Sequence, residues 1–386
     1  MLNRRTLRVK AMQAMFAYKQ CKEANYNVAI EKIIQAYEPS MNIMEMQDPV
    51  VLEEEKKGVL EIFKKTIKEN LKDIADTNFS ESILKEAEKA IEDYRLQVKK
   101  DLTGIKKKLM NEAGKLYDNY LKILNLLIMF SEFAREGVGT RKSAPDAQLN
   151  LVNNVLISHL RENANLKKLI LKNNLSWQSQ NDMIRAWFRD IVTKDENYTR
   201  YLELTKPDAE DDAEIINHLA RKIIFKNETI VSFWEDQDLS WLEDHAIIRS
   251  MVLKTIKSLI EKGANFELAI LSYNWAEDKD FFEKLFELTV KNEIFLQDIV
   301  AEKTKNWDFD RIAYTDRLIL MLAVSEMMNF PSIPIKVTIN EYIEVSKSYS
   351  NPKSKHFVNG VLDVIAVNLQ EKGLIKKSGR GLIDNK

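Results

Sequence analysis

Two neighbouring segments carry the clearest structural pattern in this chain. The first is Ile335-Lys-Val-Thr-Ile-Asn-Glu-Tyr-Ile-Glu-Val-Ser-Lys-Ser-Tyr349, and the second, after a short polar loop, is Lys355-His-Phe-Val-Asn-Gly-Val-Leu-Asp363. In the first segment apolar side chains recur at Ile335, Ile339 and Tyr342, which is the spacing of one buried helix face. Pro334 directly precedes it, at a position where a helix loses nothing by the missing N–H. The two segments predict two consecutive amphipathic helices.

The second segment opens a helix whose buried stripe continues through Leu362, Ile365 and Leu369. Gly360 lies inside this helix, where glycine is less favourable than alanine by about 1 kcal/mol. We therefore expect another helix to approach closely at Gly360. Gly373 follows the last apolar residue of the stripe and is expected to cap the helix C-terminus.

The remainder of the chain also indicates helices. Glycine (10) and proline (7) are scarce among 386 residues, which argues against an all-β chain with many tight turns. No stretch of alternating apolar and polar residues is long enough to predict a sheet. Residues 51–135 predict two or three long, charge-rich helices, and residues 136–148 are the clearest loop. The predicted fold class is all-α.

Residues 4–20 form a helix candidate with two different faces. One face carries the buried stripe Leu7, Ala11, Ala14 and Tyr18. The other carries Arg5, Arg8, Met12 and Phe16, with Arg4 beside it. Basic residues interleaved with an aromatic suit phosphate contact and base stacking. A solvated helix start, whose arginines simply face water, explains the same pattern equally well.

Charge is unevenly distributed along this chain of net charge −1. Residues 1–22 contain lysines and arginines but no acidic residue, and basic residues again outnumber acidic ones from Lys347 onward. The middle of the chain is acidic in compensation. If the two ends meet in space, they would form one local basic surface.

Several classes of function are disfavoured by the residue types present. Cys21 is the single cysteine, which excludes an intramolecular disulfide or a cysteine-based zinc cluster, and none of the four histidines lies four residues from another. No Gly-rich phosphate loop and no Cys–His or His–Asp arrangement stands out. We expect no catalytic residue, no metal and no cofactor. With neither a signal peptide nor an apolar run near the roughly 20 residues of a membrane span, a cytoplasmic protein is expected.

Four segments together resemble the NusB family of bacterial transcription antitermination factors. The segment from Ile335 matches the family pattern Pro-x-x-Val-x-Ile-Asn-Glu-x-(Ile/Val)-Glu-Leu-Ala-Lys, and the segment from Lys355 matches Phe-Val-Asn-Gly-Val-Leu-Asp. Upstream, Asp316-Arg-Leu-Ile-Leu-Met-Leu-Ala-Val-Ser-Glu326 resembles another helix of the family. Arg4-Arg5-x-x-Arg8-x-x-Ala11-x-Gln13-Ala14-x-Phe16 resembles its arginine-rich opening helix.

The resemblance covers about a third of the chain and predicts its domain organisation. Residues 1–37 form the first part of a NusB-like helical bundle, and residues 278–373 form the second part. Residues 38–277 do not match the short members of the family and are interpreted as a helical insertion lobe. Residues 374–386 are interpreted as a basic, flexible tail.

The resemblance implies an RNA-binding protein that is not an enzyme. Proteins similar to NusB bind a short single-stranded boxA RNA element together with a small-subunit ribosomal protein, known in this role as NusE. The complex loads onto RNA polymerase and suppresses termination, notably in ribosomal RNA operons. No membrane or small-molecule partner is implied.

Carried over by position, the family's functional residues fall on both ends of the chain. The residues implied in RNA binding are Arg4, Arg5, Arg8, Gln13, Phe16, Lys353, Lys355 and Phe357. Asp316 and Arg317 fall where similar proteins meet the ribosomal-protein partner, although an ordinary ion pair on a helix surface explains them as well. Asn340, Glu341 and Asn359 are interpreted as helix packing and buried hydrogen bonding.

Two other functions remain as alternatives. The same helical module occurs as the N-terminal RNA-binding part of certain ribosomal RNA cytosine methyltransferases, but that interpretation needs a Rossmann-like domain and a catalytic cysteine after the module. The chain could also be a helical protein-interaction scaffold that has lost RNA binding. Salt-dependent RNA affinity distinguishes the scaffold from the RNA-binding protein, because phosphate contacts weaken as salt rises.

Overall fold

A computed structural model describes residues 3–38, 48–74, 79–139, 149–304 and 312–383 of the chain. Every regular element within these ranges is helical and none is a strand, which confirms the all-α fold class. In the same ranges, no helix combines the length and the apolar composition that crossing a membrane requires. The predicted loop at residues 136–148 lies mostly outside the described residues, and the last helix before it extends to Gly139.

The α-helices follow one another along the chain with short connections. In chain order they are α1 (Arg4–Ala36), α2 (Pro49–Lys68), α3 (Glu81–Gly139), α4 (Asn150–Asn153), α5 (Val155–Glu162), α6 (Ala164–Lys172), α7 (Asn181–Asp190), α8 (Glu196–Glu203), α9 (Ala209–His218), α10 (Glu228–Gln237), α11 (Trp241–Lys262), α12 (Trp275–Lys291), α13 (Glu293–Lys303), α14 (Tyr314–Asn329), α15 (Ile335–Tyr349) and α16 (Ser354–Glu371). A π-helical turn, Leu219–Ile224, continues α9.

Two of these helices are longer than the sequence pattern indicates. The predicted helix at residues 4–20 continues without a break through Ala36, because no glycine or proline interrupts the 33 residues of α1. The 59 residues of α3 likewise replace the last two helices expected between residues 51 and 135. Pro49 begins α2, and the Asp48 side chain caps it by accepting a hydrogen bond from the backbone N–H of Val50.

The chain divides into two compact units. We call Arg4–Leu109 with Lys279–Lys386 the core unit, and Met110–Asp278 with Met1–Asn3 the insertion unit. The core unit thus includes α2 and the first part of α3, which the sequence-based boundaries place in the insertion. The division falls within α3 and within α12 rather than in a loop.

The core unit is organised around α14. Every residue of α14 from Leu318 to Met327 is buried, including the polar Ser325 and Glu326. A helix that is apolar on all sides must be surrounded by other helices, and α1, α13, α15 and α16 all pack against α14. The two motif segments at residues 335–349 and 355–363 form the helices α15 and α16, as predicted.

A second apolar cluster joins the helical hairpin of α2 and α3 to α1 within the core unit. Phe63 of α2 lies between Tyr26 of α1 and Tyr94 of α3, with ring centroids 5.7 and 5.8 Å away. Aromatic pairs in such geometries stabilise by about 0.5–1.5 kcal/mol beyond the area they bury. The first part of the predicted insertion, up to Leu109, therefore packs as part of the core unit.

The two glycines of the last helix behave differently. Gly373 has φ +66°, the left-handed conformation of a helix C-cap, as predicted. The expectation of a close helix approach at Gly360 is wrong, because Gly360 is exposed and a Cβ built there meets nothing within 4 Å. The single-sequence pattern could not distinguish a packed glycine from one on an open face.

The residues after α16 return to the loop between α14 and α15. The Lys377 ammonium donates to the carbonyl of Phe330, and the backbone N–H of Ser378 donates to the carbonyl of Pro331, both at 3.0 Å. Ile375 is buried. The described part of the predicted tail, residues 374–383, thus makes defined contacts within the core unit.

The insertion unit has its own core, centred on three tryptophans. Trp177, Trp234 and Trp241 are all buried, and the rings of Trp234 and Trp241 stack with centroids 5.0 Å apart. Trp177 meets Trp234 edge to face at 5.7 Å. Large buried rings of this kind supply much of the apolar area that a separate unit needs.

Candidate nucleic-acid interface

Arg8 of α1 lies inside the core unit rather than on its surface. It is 2% exposed, and its guanidinium donates to both carboxylate oxygens of Glu326 at 2.8 and 2.7 Å. The guanidinium also lies 5.3 Å from the ring centroid of Phe281 and 5.9 Å from that of Tyr342. The resemblance implies that Arg8 contacts RNA phosphates, but this geometry does not allow it. The guanidinium of Arg8 is buried and hydrogen-bonded to Glu326, so a phosphate in solvent cannot reach it.

The charge state of the Arg8 site follows from two opposing effects. Burial lowers the pKa of Arg8, but the carboxylate of Glu326 outweighs it, and the net pKa lies above the ordinary value. Burial also raises the pKa of Tyr342 well above its ordinary range, and Glu326 adds to that shift. The site is thus a charged pair with a neutral phenol, held away from water.

Arg5 and Arg4 lie nearer to solvent at the start of α1. The Arg5 guanidinium donates twice to Glu341 of α15, at 2.9 Å each, while its side chain remains 48% exposed. Arg4 is partly buried, with its guanidinium 5.1 Å from the ring centroid of Phe281. Glu341, interpreted from sequence as a packing residue, thus orients Arg5. The Arg5 side chain is half exposed, so another anion can reach its guanidinium and compete with Glu341.

Phe16 occupies the other end of the same stripe. It is 41% exposed, and its ring meets the ring of Tyr314 edge to face, with centroids 5.6 Å apart. Eleven residues separate Arg5 from Phe16, or about 16 Å along a helix. Gln13, one turn before Phe16, is partly buried. The expected stripe therefore separates into a basic end and an aromatic end.

The loop between α15 and α16 is tied to the start of α14 by hydroxyl groups. Ser354 donates to a carboxylate oxygen of Asp316 at 2.6 Å, and the Ser350 and Ser354 hydroxyls lie 3.0 Å apart. Thr315 reaches Ser350 at 3.4 Å. Because Phe16 packs on Tyr314, the residue before Thr315, this network brings the loop and the aromatic end of α1 to the same end of α14.

The three expected RNA-binding residues of this loop region differ in accessibility. Lys353 is exposed, whereas Lys355 and Phe357 are partly buried. Within the described residues, neither the Lys353 nor the Lys355 side chain makes a hydrogen bond or an ion pair. Unlike Arg5 and Arg8, these two lysines are not neutralised by carboxylates. They are the cations of the site most available to a phosphate.

The two residues expected to meet a partner protein have different positions. Asp316 is 3% exposed and serves as the acceptor for Ser354, so it is not part of a surface ion pair. Arg317 is partly buried, with its guanidinium 5.4 Å from the ring centroid of Tyr314. In this structure Asp316 positions the loop that ends at Lys353 and the start of α16, which carries Lys355. Of the two residues, only Arg317 lies near solvent.

The structure adds residues that the sequence interpretation missed. Tyr314 supports Phe16, Ser354 holds Asp316, and Glu326 holds Arg8. Glu326 is the last residue of the segment from Asp316 that resembles the family. The local sequence pattern gives no sign that it pairs with an arginine on another helix. Thr338 completes this buried site by donating to Glu326 at 2.9 Å.

The family model and the curated relatives that match this chain belong to the same family. The family model for the NusB family matches residues 246–367. Curated relatives named "Transcription antitermination protein NusB" include one from Salinibacter ruber, 43% identical over 35% of this chain and 88% of its own length. Another, from Chloroherpeton thalassium, is 41% identical over 28% of this chain and 50% of its own length. A third, from Dictyoglomus turgidum, is 30% identical over 34% of this chain and 90% of its own length. No solved structure gives a significant match.

Proposed function

Since this chain belongs to the NusB family, we propose that it is an RNA-binding transcription antitermination factor of the bacterial cytoplasm. It binds a boxA-like single-stranded RNA together with the small-subunit ribosomal protein NusE, and it acts in the transcription of ribosomal RNA. The observation that carries the proposal is the 43% identity to a transcription antitermination protein over 88% of that protein's length. No catalytic step is part of the proposal.

The RNA-facing surface that the geometry supports is the aromatic end of α1 together with the loop before α16. Phe16 offers an exposed ring for one base, and base stacking contributes about 1–3 kcal/mol. Lys353 and Lys355 offer unpaired charges beside it. Arg5 extends the surface toward the start of α1 by releasing Glu341. Arg8 contributes by fixing α1 on α14 rather than by direct contact.

The other residues implied in RNA or partner binding have different roles in this function. Gln13 and Phe357 border the RNA surface, and Arg4 adds charge near Arg5. Arg317 faces NusE, whereas Asp316 acts on both partners through the loop that it holds. The core unit carries this function, and the insertion unit is an added lobe.

A second candidate function keeps the fold but not the RNA. The observation that favours it is that Arg5 and Arg8 are both paired with carboxylates, which leaves less positive charge on α1 than the sequence indicates. In that case the chain is a protein-interaction scaffold. The two candidates differ in whether RNA binds at all.

Fluorescence anisotropy with a boxA-like RNA, with and without NusE and at two salt concentrations, tests the proposal. Phe16→Ala should weaken binding by about 1–3 kcal/mol, because one stacking platform is lost. Val28→Ala is the matched control, since Val28 is another exposed apolar residue of α1. The double change Lys353→Gln with Lys355→Gln should make the salt dependence less steep by about 0.7 for each lost phosphate contact. Absence of RNA binding even with NusE would leave the scaffold as the better function.

A further inference from the structure

The insertion unit contains an open groove of about 590 Å³ that the proposed function does not use. One wall is α9 with its π-helical turn Leu219–Ile224, and the other wall is the face of α11 between Ala246 and Glu261. This stretch of α11 contains 16 residues and is about 22 Å long at the rise of an α-helix. The groove is therefore long enough for an extended chain rather than only for a small ion.

The groove is strongly basic. Four of its lining residues are cations, namely Arg221, Arg249, Lys254 and Lys257, whereas Glu261 is its one lining carboxylate. Glu261 lies 3.6 Å from Lys257 and offsets that charge. The remaining three cations leave a concentrated positive charge on a chain whose net charge is −1, and such a local field attracts anions.

These three cations are not used in holding the fold together. Within the part of the chain that the structure describes, the side chains of Arg221, Arg249 and Lys254 make no hydrogen bond or ion pair. The Nε of Arg249 is buried at the groove without any hydrogen-bond partner. The Nε–H of Arg249 is therefore not engaged by the fold and can donate to an anion in the groove.

The backbone at Arg221 is unusual as well. It lies within the six-residue π-helical turn, in which Leu219, Ala220, Ile223 and Ile224 are buried and Arg221 is left exposed. π-Helical turns are rare and occur often at functional sites. The turn brings an exposed guanidinium to the groove wall opposite Arg249.

The neutral residues of the groove favour a phosphate backbone over an acidic peptide. Asn217 and Ser250 stand among the cations, and Arg, Lys, Ser and Asn together are the side chains that contact phosphate and sugar. The lining residues include no aromatic ring, so the groove has no platform for base stacking. Its chemistry suits contact with the backbone without selection of sequence.

We propose that this groove, between the π-helical turn and α11, binds the phosphate backbone of single-stranded RNA. The inference goes beyond the proposed function, since it concerns a separate surface in the insertion unit and RNA outside the boxA-like element. The choice of RNA as occupant rests on the proposed function, whereas the groove and its unpaired charges do not. The insertion unit then holds RNA phosphates at a site of its own.

The experiment uses the full chain and a long oligouridylate, roughly 30 nucleotides, which offers many phosphates and no boxA-like sequence. The groove variant carries Arg221→Gln, Arg249→Gln and Lys254→Gln. The control variant carries Lys167→Gln, Lys168→Gln and Lys172→Gln, which remove the same charge from exposed lysines of α6. A second groove variant, with Arg221→Gln and Lys254→Gln only, leaves the partly buried Arg249 in place in case its loss impairs folding.

The triple groove variant should make the dependence of log affinity on log salt less steep by about 2, since each single-strand phosphate contact contributes about 0.7. At about 0.1 M salt, a change of this size in the slope corresponds to RNA affinity on the order of 100-fold lower in the triple groove variant than in the unchanged protein. The double variant should show about two thirds of the change in slope, and the α6 control should show little change.

Equal losses in the groove variant and the α6 control would overturn the proposal, because general charge would then explain the binding. Unchanged binding of oligouridylate in the groove variant, with loss of binding to a glutamate-rich peptide instead, would overturn it in favour of a protein partner. A short boxA-like RNA, measured in parallel, tests the proposed function alone, since it should bind the core unit and be unaffected by the groove changes.

Discussion

Arg8 and Glu326 form a buried, bidentate ion pair that joins the first helix of the core unit to its central helix. The two hydrogen bonds are 2.8 and 2.7 Å long, and the residues are 318 positions apart in the chain. Charges removed from water are stable only when paired and hydrogen-bonded. The same arginine that the sequence pattern places on an RNA-binding stripe is therefore a structural residue here.

Loss of one partner of this pair should strongly destabilise the core unit. Glu326→Gln removes the bidentate partner of the buried Arg8 guanidinium and leaves it only the carboxylate of Glu341, 3.5 Å from Arg8 Nη1. We expect a loss of about 3–5 kcal/mol in the free energy of unfolding. Urea unfolding measures it. Glu344→Gln is the control, because it breaks an exposed pair with Lys347 and should cost less than about 1 kcal/mol. Comparable losses in the two variants would contradict the assignment of Arg8 to the interior.

The hydroxyl of Ser354 should contribute both to stability and to RNA binding. Ser354→Ala removes the donor to the buried carboxylate of Asp316, and an unsatisfied buried acceptor costs about 1–3 kcal/mol. RNA affinity should fall as well, because the loop that carries Lys353 loses its anchor. Ser348→Ala, at an exposed serine of the same region, should change neither quantity. If both serine variants behave alike, the network does not hold the loop.

Gly360→Ala should stabilise the protein. A Cβ at this position meets nothing within 4 Å, and alanine is favoured over glycine inside a helix by about 1 kcal/mol. Thermal or urea unfolding measures the gain. Gly263→Ala is the contrasting variant, since Gly263 has φ +55°, a conformation that alanine adopts only with strain. A destabilising effect of Gly360→Ala would mean that another surface does pack there.

Stability should decrease at alkaline pH through two tyrosines of the core unit. Burial, with a further contribution from the charge of Glu293, raises the pKa of Tyr18 and of Tyr94 from 10.0 to about 12. Between these values the unfolded chain releases the phenol protons while the folded chain retains them. The stabilisation is therefore complete below pH 10 and is lost as the pH rises toward 12. Each group accounts for about 3 kcal/mol at most.

Urea unfolding at a series of pH values across this window measures the effect. Tyr18→Phe should flatten the decrease, since phenylalanine keeps the buried ring and has no proton to lose. The double variant with Tyr94→Phe should flatten it further. An unchanged pH dependence in both variants would show that other groups are responsible.

Much of the fold could be predicted from the sequence because it depends on local spacing. The stripe Ile335, Ile339 and Tyr342 identifies α15 and its buried face by the period of a helix alone. The cap at Gly373 follows from the same local chemistry. The match to the NusB family model covers residues 246–367 and so includes α15, which the helix pattern identifies independently.

The position of each charged side chain, by contrast, was decided only by the tertiary structure. Arg5 and Arg8 lie on one helix stripe and look alike in the sequence, yet one is half exposed and the other is buried. The difference arises because α14 packs against the turn that carries Arg8 and brings Glu326 to it. The spacing of apolar residues along α1 cannot show that Arg8 pairs with a carboxylate 318 residues away in the chain. The same holds for the groove in the insertion unit, whose cations come from two separate helices and become one surface only on folding.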